Sequence, residues 1–434
     1  MRRLALCVSL FCLSIAPVCA QSLLIHAGSV LVHADQEAKR EQTVVIEAGR
    51  IKSVVAGYVT AEEAGLPADT AVIDWRSRYV LPGLIDSHVH LDNDRAGIEA
   101  QLGMLTDSIA AQAYEAQVNA GKTLRAGFTT VRNLGDADGV TLALRDAVRT
   151  GKVVGPRIVD SGQAISTTSG HMDSSLGFRE EFRSVLNSAG NVCDGADACR
   201  AAVRRQISRG VDVIKFASTG GVNSRIGLGL GAQMFEDEAR AIVETAHLYG
   251  KKVAVHAHGA DGIVLALKVG ADSIEHGTLL DDEGLKLFKQ SGAYYVPTLS
   301  TINGYIERLE KNPDAYAPAV KAKIEWRIAI TGKSLKLAHE AGVPIAFGTD
   351  AGVSLHGRNA DEFELMVKFG MSPREAIHAA TINASRLLGL ESEIGTIEAG
   401  KVADLIAVGG DPLADVRVLK AVQAVVQGGK LLKP

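Results

Sequence analysis

Two histidines one residue apart, His88 and His90, close the apolar run "LPGLIDSHVHLD". Side chains on a strand alternate faces, so both imidazoles point the same way, with Cα atoms roughly 6.5 to 7 Å apart and within reach of one ion. The pattern recurs along the chain: His256 and His258 close "KVAVHAH", His276 closes "SIEHG" and Asp350 closes "PIAFGTD". One strand-end histidine is ordinary structure. Four strand ends carrying nitrogen and oxygen donors point to a metal centre; zinc fits that donor set, as do other divalent ions.

Lys215, in "VDVIKFAS", is the odd residue among them. At period two it shares a face with Val211, Val213 and Ala217, which in a barrel is the inward face. A buried, unpaired ammonium is costly, so its pKa must fall well below the usual value of about 10.4 before the amine is neutral. A neutral amine can take up carbon dioxide as a carbamate, an anion with two oxygens able to bridge two metals. A lysine that reaches the rim or pairs with an acid is the other reading.

Eight short apolar runs position these residues: "GLIDSHVH", "GFTTVRNL", "RIVDSGQ", "VDVIKFAS", "KVAVHAH", "SIEHG", "YYVPTL" and "PIAFGTDA". Most are followed by an amphipathic helical stretch such as "EDEARAIVETAHLYG", the alternation of parallel strands with crossover helices. The pattern predicts an α/β fold, a (β/α)8 TIM barrel over residues 81–389, whose active site would lie on the C-terminal rim of the strands. An open doubly wound sheet is the rival, but no GxGxxG follows the first strand. Short Val/Ile/Leu-rich runs broken by "EAGR" and "QGGK" fill residues 21–80 and 390–434, and they predict a discontinuous β-sandwich built from both chain ends.

The chain has 434 residues, 47% hydrophobic and 22% charged, which is ordinary globular composition. Residues 1–20, "MRRLALCVSLFCLSIAPVCA", have the basic start, short apolar run and small-residue end of a cleaved signal peptide, so a periplasmic or secreted protein is expected. A lipid anchor at Cys19 would need a small residue where Val18 stands. Cleavage removes Arg2 and Arg3 and no acid, taking the formal charge from −4 to −6, which argues against a nucleic-acid partner. No other run is long and apolar enough for a membrane span. Cys193 and Cys199 survive cleavage, and in an oxidising compartment a small disulfide loop is the expectation.

With these pieces in place, nearly the whole mature chain resembles the amidohydrolase superfamily, through "PGLIDSHVH", Lys215 in "DVIKF", His256, "IEHG", "GTDA" and the end segments "EAGRI" and "GKVADLIAV". The resemblance implies two divalent ions, with His88, His90 and Asp350 on one and His256 and His276 on the other. Carboxylated Lys215 and a hydroxide would bridge both, and Asp350 would shuttle the proton in amide hydrolysis. It also implies assembly into a homo-oligomer.

"TTSGH", "STGGVNS" and "VPTLS" narrow the likeness to a branch of imidazolonepropionase-related enzymes, Xaa-Pro-dipeptidase-like carboxypeptidases and ochratoxin-degrading amidases. Substrates of that branch are dipeptides and N-acyl amino acids. His171 and His258 would then hold the developing oxyanion, and Arg225 could bind a substrate carboxylate. Cyclic amide, imidazolone, lactone or phosphotriester hydrolysis on the same centre, and a non-catalytic scaffold, are the alternatives. His26, His33, His247, His339 and His378 read as structural, while His356 could line the mouth.

Overall fold

The computed structural model describes residues 22–135, 138–224 and 229–433. The expected signal segment and Arg225 lie outside them. Four strands open the described chain: β1 (Leu23–Val30), β2 (Lys39–Glu47), β3 (Arg50–Ala56) and β4 (Ala71–Pro82). Three close it: β12 (Leu405–Val408), β13 (Ala424–Gln427) and β14 (Lys430–Lys433). They form one seven-stranded sheet in the order β14-β13-β12-β4-β1-β2-β3, so the two chain ends do share a sheet, joined where β12 runs antiparallel to β4 with Ile406 opposite Leu81. One apolar cluster draws on both ends, with Ile25, Val44, Trp75, Val80, Leu405 and Val426 all buried in it.

Between the ends lie the parallel strands β5 (Leu84–Val89), β6 (Phe128–Asn133) and β7 (Arg157–Asp160) in one sheet. A second sheet holds β8 (Ile214–Ala217), β9 (Val253–Ala257), β10 (Ser273–His276) and β11 (Tyr294–Val296). Every pairing within these two sheets is parallel. Ile165 ties one to the other: its N–H donates to the Lys215 carbonyl at 2.8 Å and its carbonyl accepts from Ala217 at 3.1 Å. Helices follow the strands. In Glu236–Leu248 the buried Ala239, Ile242, Val243 and Ala246 fall at the spacing of one helix face, as its sequence predicts.

The eighth expected strand, "PIAFGTDA", departs from the prediction. It makes isolated bridges, Ile345 to Tyr295 and Ala351 to Val89, rather than a ladder. Asp350 adopts φ +58°, a left-handed conformation that an extended strand cannot contain. Single backbone bonds still hold the segment between its neighbours, from Ala346 N–H to the Tyr295 carbonyl at 3.0 Å and from Ser87 N–H to the Phe347 carbonyl at 2.8 Å.

Gly83 marks the passage from β4 to β5. A Cβ there would stand 2.1 Å from Thr129 Oγ1, so any side chain would push β6 away. Among the described residues no helix is long and apolar enough to cross a membrane.

Candidate metal centre and active site

The strand-end residues converge. Donor atoms of His88, His276 and Asp350 lie within 4.8 Å of one another, as do those of His256, His258 and His276, so His276 stands between two potential ion positions. That grouping differs from the sequence expectation, which paired His88 and His90 with Asp350 and made His258 an oxyanion partner. His90 lies just past the end of β5 and is partly exposed, with Nε2 3.3 Å from Asp350 Oδ1. Two of the bearing residues carry backbone strain: His276 at φ +70° and Asp350 at φ +58° occupy a region that non-glycine residues avoid, and such strain gathers at functional sites.

Hydrogen bonds fix which nitrogen each imidazole offers. His88 Nδ1 donates to Glu275 Oε2 at 2.8 Å, leaving the Nε2 lone pair free. His276 Nδ1 and His258 Nδ1 pair with Thr298 and Thr278 hydroxyls at 2.7 Å each, leaving Nε2 on both. His256 Nε2 lies 3.4 Å from the Gly220 carbonyl, and its Nδ1 is buried without a hydrogen-bond partner among the described residues. Lys215 Nζ is likewise buried and unpartnered, with 1% of the residue exposed. Orphaned polar atoms are costly in an apolar interior, and two of them in a cluster of donor side chains fit a metal-holding set.

Electrostatics keep His88, His256 and His276 neutral. Burial pushes His88 down to about 4, with the Lys215 charge adding to it. Burial and then repulsion from neighbouring histidines, His171 and His258 in the case of His256, His256 and His258 in the case of His276, hold both well below the imidazole range. Burial outweighs the Glu275 and Asp350 charges to bring Lys215 to about 8, near enough to neutral pH for the free amine to be populated. Burial alone would raise Asp350, but His88, His90 and Lys215 hold its carboxylate below the ordinary range.

His171 reaches the same place from the loop after β7, its ring centroid 4.1 Å from that of His256. Ser224 Oγ accepts from Gly221 N–H at 3.2 Å and lies 2.7 Å from His171 Nδ1. The contact engages Nδ1 and leaves Nε2 as the nitrogen the imidazole can offer. Gly221 is required for this packing, because a Cβ would lie 2.1 Å from His171 Cε1. Burial, Lys215 and Lys323 push His171 down to about 3. His356 is buried, and its Nε2 donates to the His90 carbonyl at 2.9 Å, so it braces the loop after β5. Cys193 and Cys199 form a disulfide, with Cα atoms 5.0 Å apart, at the start of the Ala196–Ser208 helix.

Several supporting residues escape the sequence reading. Glu275 is clamped by Arg132, which donates to Glu275 Oε1 at 2.8 Å, Ser273 Oγ at 3.1 Å and the Ser87 carbonyl at 2.6 Å. Asp86, two residues before His88, accepts from Thr349 Oγ1 at 2.6 Å and Asn359 Nδ2 at 2.8 Å and so ties β5 to the Asp350 segment. Its place in the "DSHVH" alternation was the available signal.

The site opens into two adjoining cavities. An inner one of about 130 Å³ is walled by the histidines, Asp350, Tyr305 and Arg327. An outer one of about 460 Å³ includes Met104, Leu176, Phe178 and Leu186, and both share His90, His171, Met172 and Asn223.

Residues 79–432 match the amidohydrolase family. The chain is 34% identical to the ochratoxinase of Aspergillus niger over 433 residues, 95% of this chain and 87% of that protein. It is similar to a crystal structure of a Xaa-Pro dipeptidase with bound methionine in the active site, at 38% identity and TM-score 0.89, covering 95% of this chain and 100% of that one. A prolidase complexed with N-methylphosphonate-L-proline is also similar, at 32% identity and TM-score 0.85, covering 95% of this chain and 99% of that one.

Proposed function

The chain belongs to the amidohydrolase family, and from that premise we propose that it hydrolyses the amide bond of dipeptides or N-acyl amino acids at a centre of two divalent ions. It is a hydrolase acting on carbon–nitrogen bonds. The observation that carries the finer reading is the pair of buried atoms, Lys215 Nζ and His256 Nδ1, that lack a hydrogen-bond partner among the described residues, while His88 and His276 engage Nδ1 elsewhere and keep Nε2 to offer. We read His88, His90, His256, His276, Asp350 and N-carboxylated Lys215 as the ligand set, with zinc as the fitting ion. Such ions, when bound, make hydroxide available at neutral pH and polarise a carbonyl.

The chain's own residues do the rest. Asp350, ionised and 3.3 Å from His90 Nε2, accepts a proton and returns it to the leaving nitrogen. His171, held through Nδ1 by Ser224, and His258, held through Nδ1 by Thr278, donate from Nε2 to the oxygen on which negative charge develops. Glu275 and Arg132 hold His88 in register.

The substrate class is supported by the relatives: one is an ochratoxinase, one is a Xaa-Pro dipeptidase with bound methionine in its active site, and one is a prolidase complexed with N-methylphosphonate-L-proline. We further read the two parallel sheets, joined through Ile165 and the Ile345–Ala351 segment, as a closed eight-stranded barrel flanked by the sheet of the chain ends. Export through residues 1–20 and homo-oligomeric assembly complete the proposal.

The test is to incubate the metal-loaded enzyme with a library of dipeptides and N-acyl amino acids and identify the products by mass spectrometry. Release of free C-terminal amino acids is expected. Opening of lactams or imidazolones with no cleavage of any linear amide would replace this reading.

A further inference from the structure

The helix Pro318–Ile330 buries Val320, Ile324 and Arg327 on one face. Spacings of four and three place the arginine in line with two apolar residues, where a helix against a core carries another aliphatic side chain. Arg327 is 4% exposed and walls the inner cavity beside the candidate metal ligands. Its hydrogen bond runs from Nη1 to Thr331 Oγ1 at 2.8 Å, one turn along the same helix, and that hydroxyl donates back to the Arg327 carbonyl at 2.7 Å. No ion pair to Arg327 exists among the described residues. The buried acid Glu362 is already engaged, accepting from the Leu299 and Ser300 N–H groups at 2.9 and 2.6 Å.

A guanidinium taken out of water without an anion is unfavourable, and a binding site that supplies the anion with its ligand accounts for it. The helix is also anchored for the purpose. Lys323, one turn before Arg327, donates to the carbonyls of Gly221 and Ser224 at 2.9 and 2.7 Å, tying the same helix to the loop that orients His171.

We propose that Arg327 binds the α-carboxylate of the amino acid released by hydrolysis, so that the inner cavity takes the C-terminal residue and the outer cavity takes the acyl group. This rests on the amide-hydrolase reading and deepens it. The two cavities meet at His90, His171, Met172 and Asn223, which places the scissile bond at their junction beside the candidate ligands. The inner cavity, about 130 Å³, is the smaller of the two, in keeping with a single C-terminal residue there. The outer cavity, about 460 Å³ with Leu176, Phe178 and Leu186 among its walls, admits bulky apolar acyl groups. The enzyme would release single C-terminal residues and refuse amidated ones.

The test compares kcat/KM for an N-acyl-L-methionine and its α-carboxamide within each preparation of metal-loaded enzyme, so that a partly unfolded variant still yields a valid ratio. The wild type should favour the free acid by about 100-fold or more, as for a site whose buried charge is otherwise left unpaired. In Arg327→Met the ratio should fall to within about 5-fold of unity, and Arg327→Lys should lie between. An unchanged ratio in Arg327→Met overturns the assignment, as does a collapse in Arg225→Met with Arg327→Met unaffected. If the wild type cleaves neither compound, the N-acyl amino acid reading fails and calorimetry with L-methionine decides for Arg327. Binding weakened about 10-fold or more in Arg327→Met supports it, and equal affinity overturns it.

Discussion

His88 Nδ1 lies 2.8 Å from Glu275 Oε2, and both side chains are shut away from solvent. Burial works against the Glu275 charge, yet Arg132 and His88 bring its pKa down to about 2, so the acceptor is a carboxylate throughout the working range. A carboxylate behind a metal-ligating imidazole fixes its tautomer and strengthens it as a ligand. Glu275→Gln should weaken metal binding by about 10- to 100-fold in competition with a chelator. Unaltered affinity would show that His88 is not a ligand.

His171→Asn should lower kcat by about 100- to 1,000-fold while metal content stays at the wild-type value, the behaviour of an oxyanion donor. Loss of metal instead would make His171 a ligand. Gly221→Ala should reproduce the kinetic defect, because its Cβ would occupy the place of the His171 ring. Kinetics and elemental analysis on one sample separate these outcomes.

Asp160 is buried at the end of β7, where its Oδ1 accepts from Gly162 N–H at 2.7 Å. Burial raises its pKa from 3.8 to about 7, so the native state keeps a proton that the unfolded chain has already released. The stability this contributes is full below about pH 4 and is lost as the pH rises through about 7. At about 1.4 kcal/mol for each pH unit between the two pKa values, the loss between pH 5 and pH 8 is at most about 3 kcal/mol. Asp160→Asn, which does not titrate, should therefore show a smaller fall in denaturation midpoint between pH 5 and pH 8 than the wild type. Equal falls would contradict the assignment.

The Cys193–Cys199 bridge closes a short loop, six residues apart in sequence. Chain entropy for such a loop corresponds to about 2 kcal/mol. The double Cys→Ser variant should lose about that much in denaturant titrations while keeping its metal content. Loss of metal would tie the loop to the site.

Ligand-type residues at strand ends were legible in the sequence because alternation puts His88 beside His90 and His256 beside His258, whatever surrounds them. Partners from distant segments were not. Glu275 lies 187 positions from His88, and a Glu before a strand-end His carries no local signal of what it will face. Ser224, Thr278 and Thr298 are ordinary polar residues whose role exists through the ring each one touches. Arg327 was hidden by its type, since an arginine in a helical stretch reads as solvated until the fold shows it on the buried face. Both chain ends were readable as β structure, and their meeting in one sheet follows because short strands need partners. The irregular segment through Asp350 was not readable, since an apolar run gives no sign of a positive φ.

We propose that two ions, held around Lys215, His256 and His276, support hydrolysis of an amide. The most direct test is to titrate the metal-free protein with zinc and follow hydrolysis of an N-acyl amino acid. Turnover should rise to a maximum at two equivalents per chain in the wild type and stay at background throughout in Lys215→Ala. Full turnover at zero or one equivalent, or in Lys215→Ala, would exclude a two-ion centre built on Lys215.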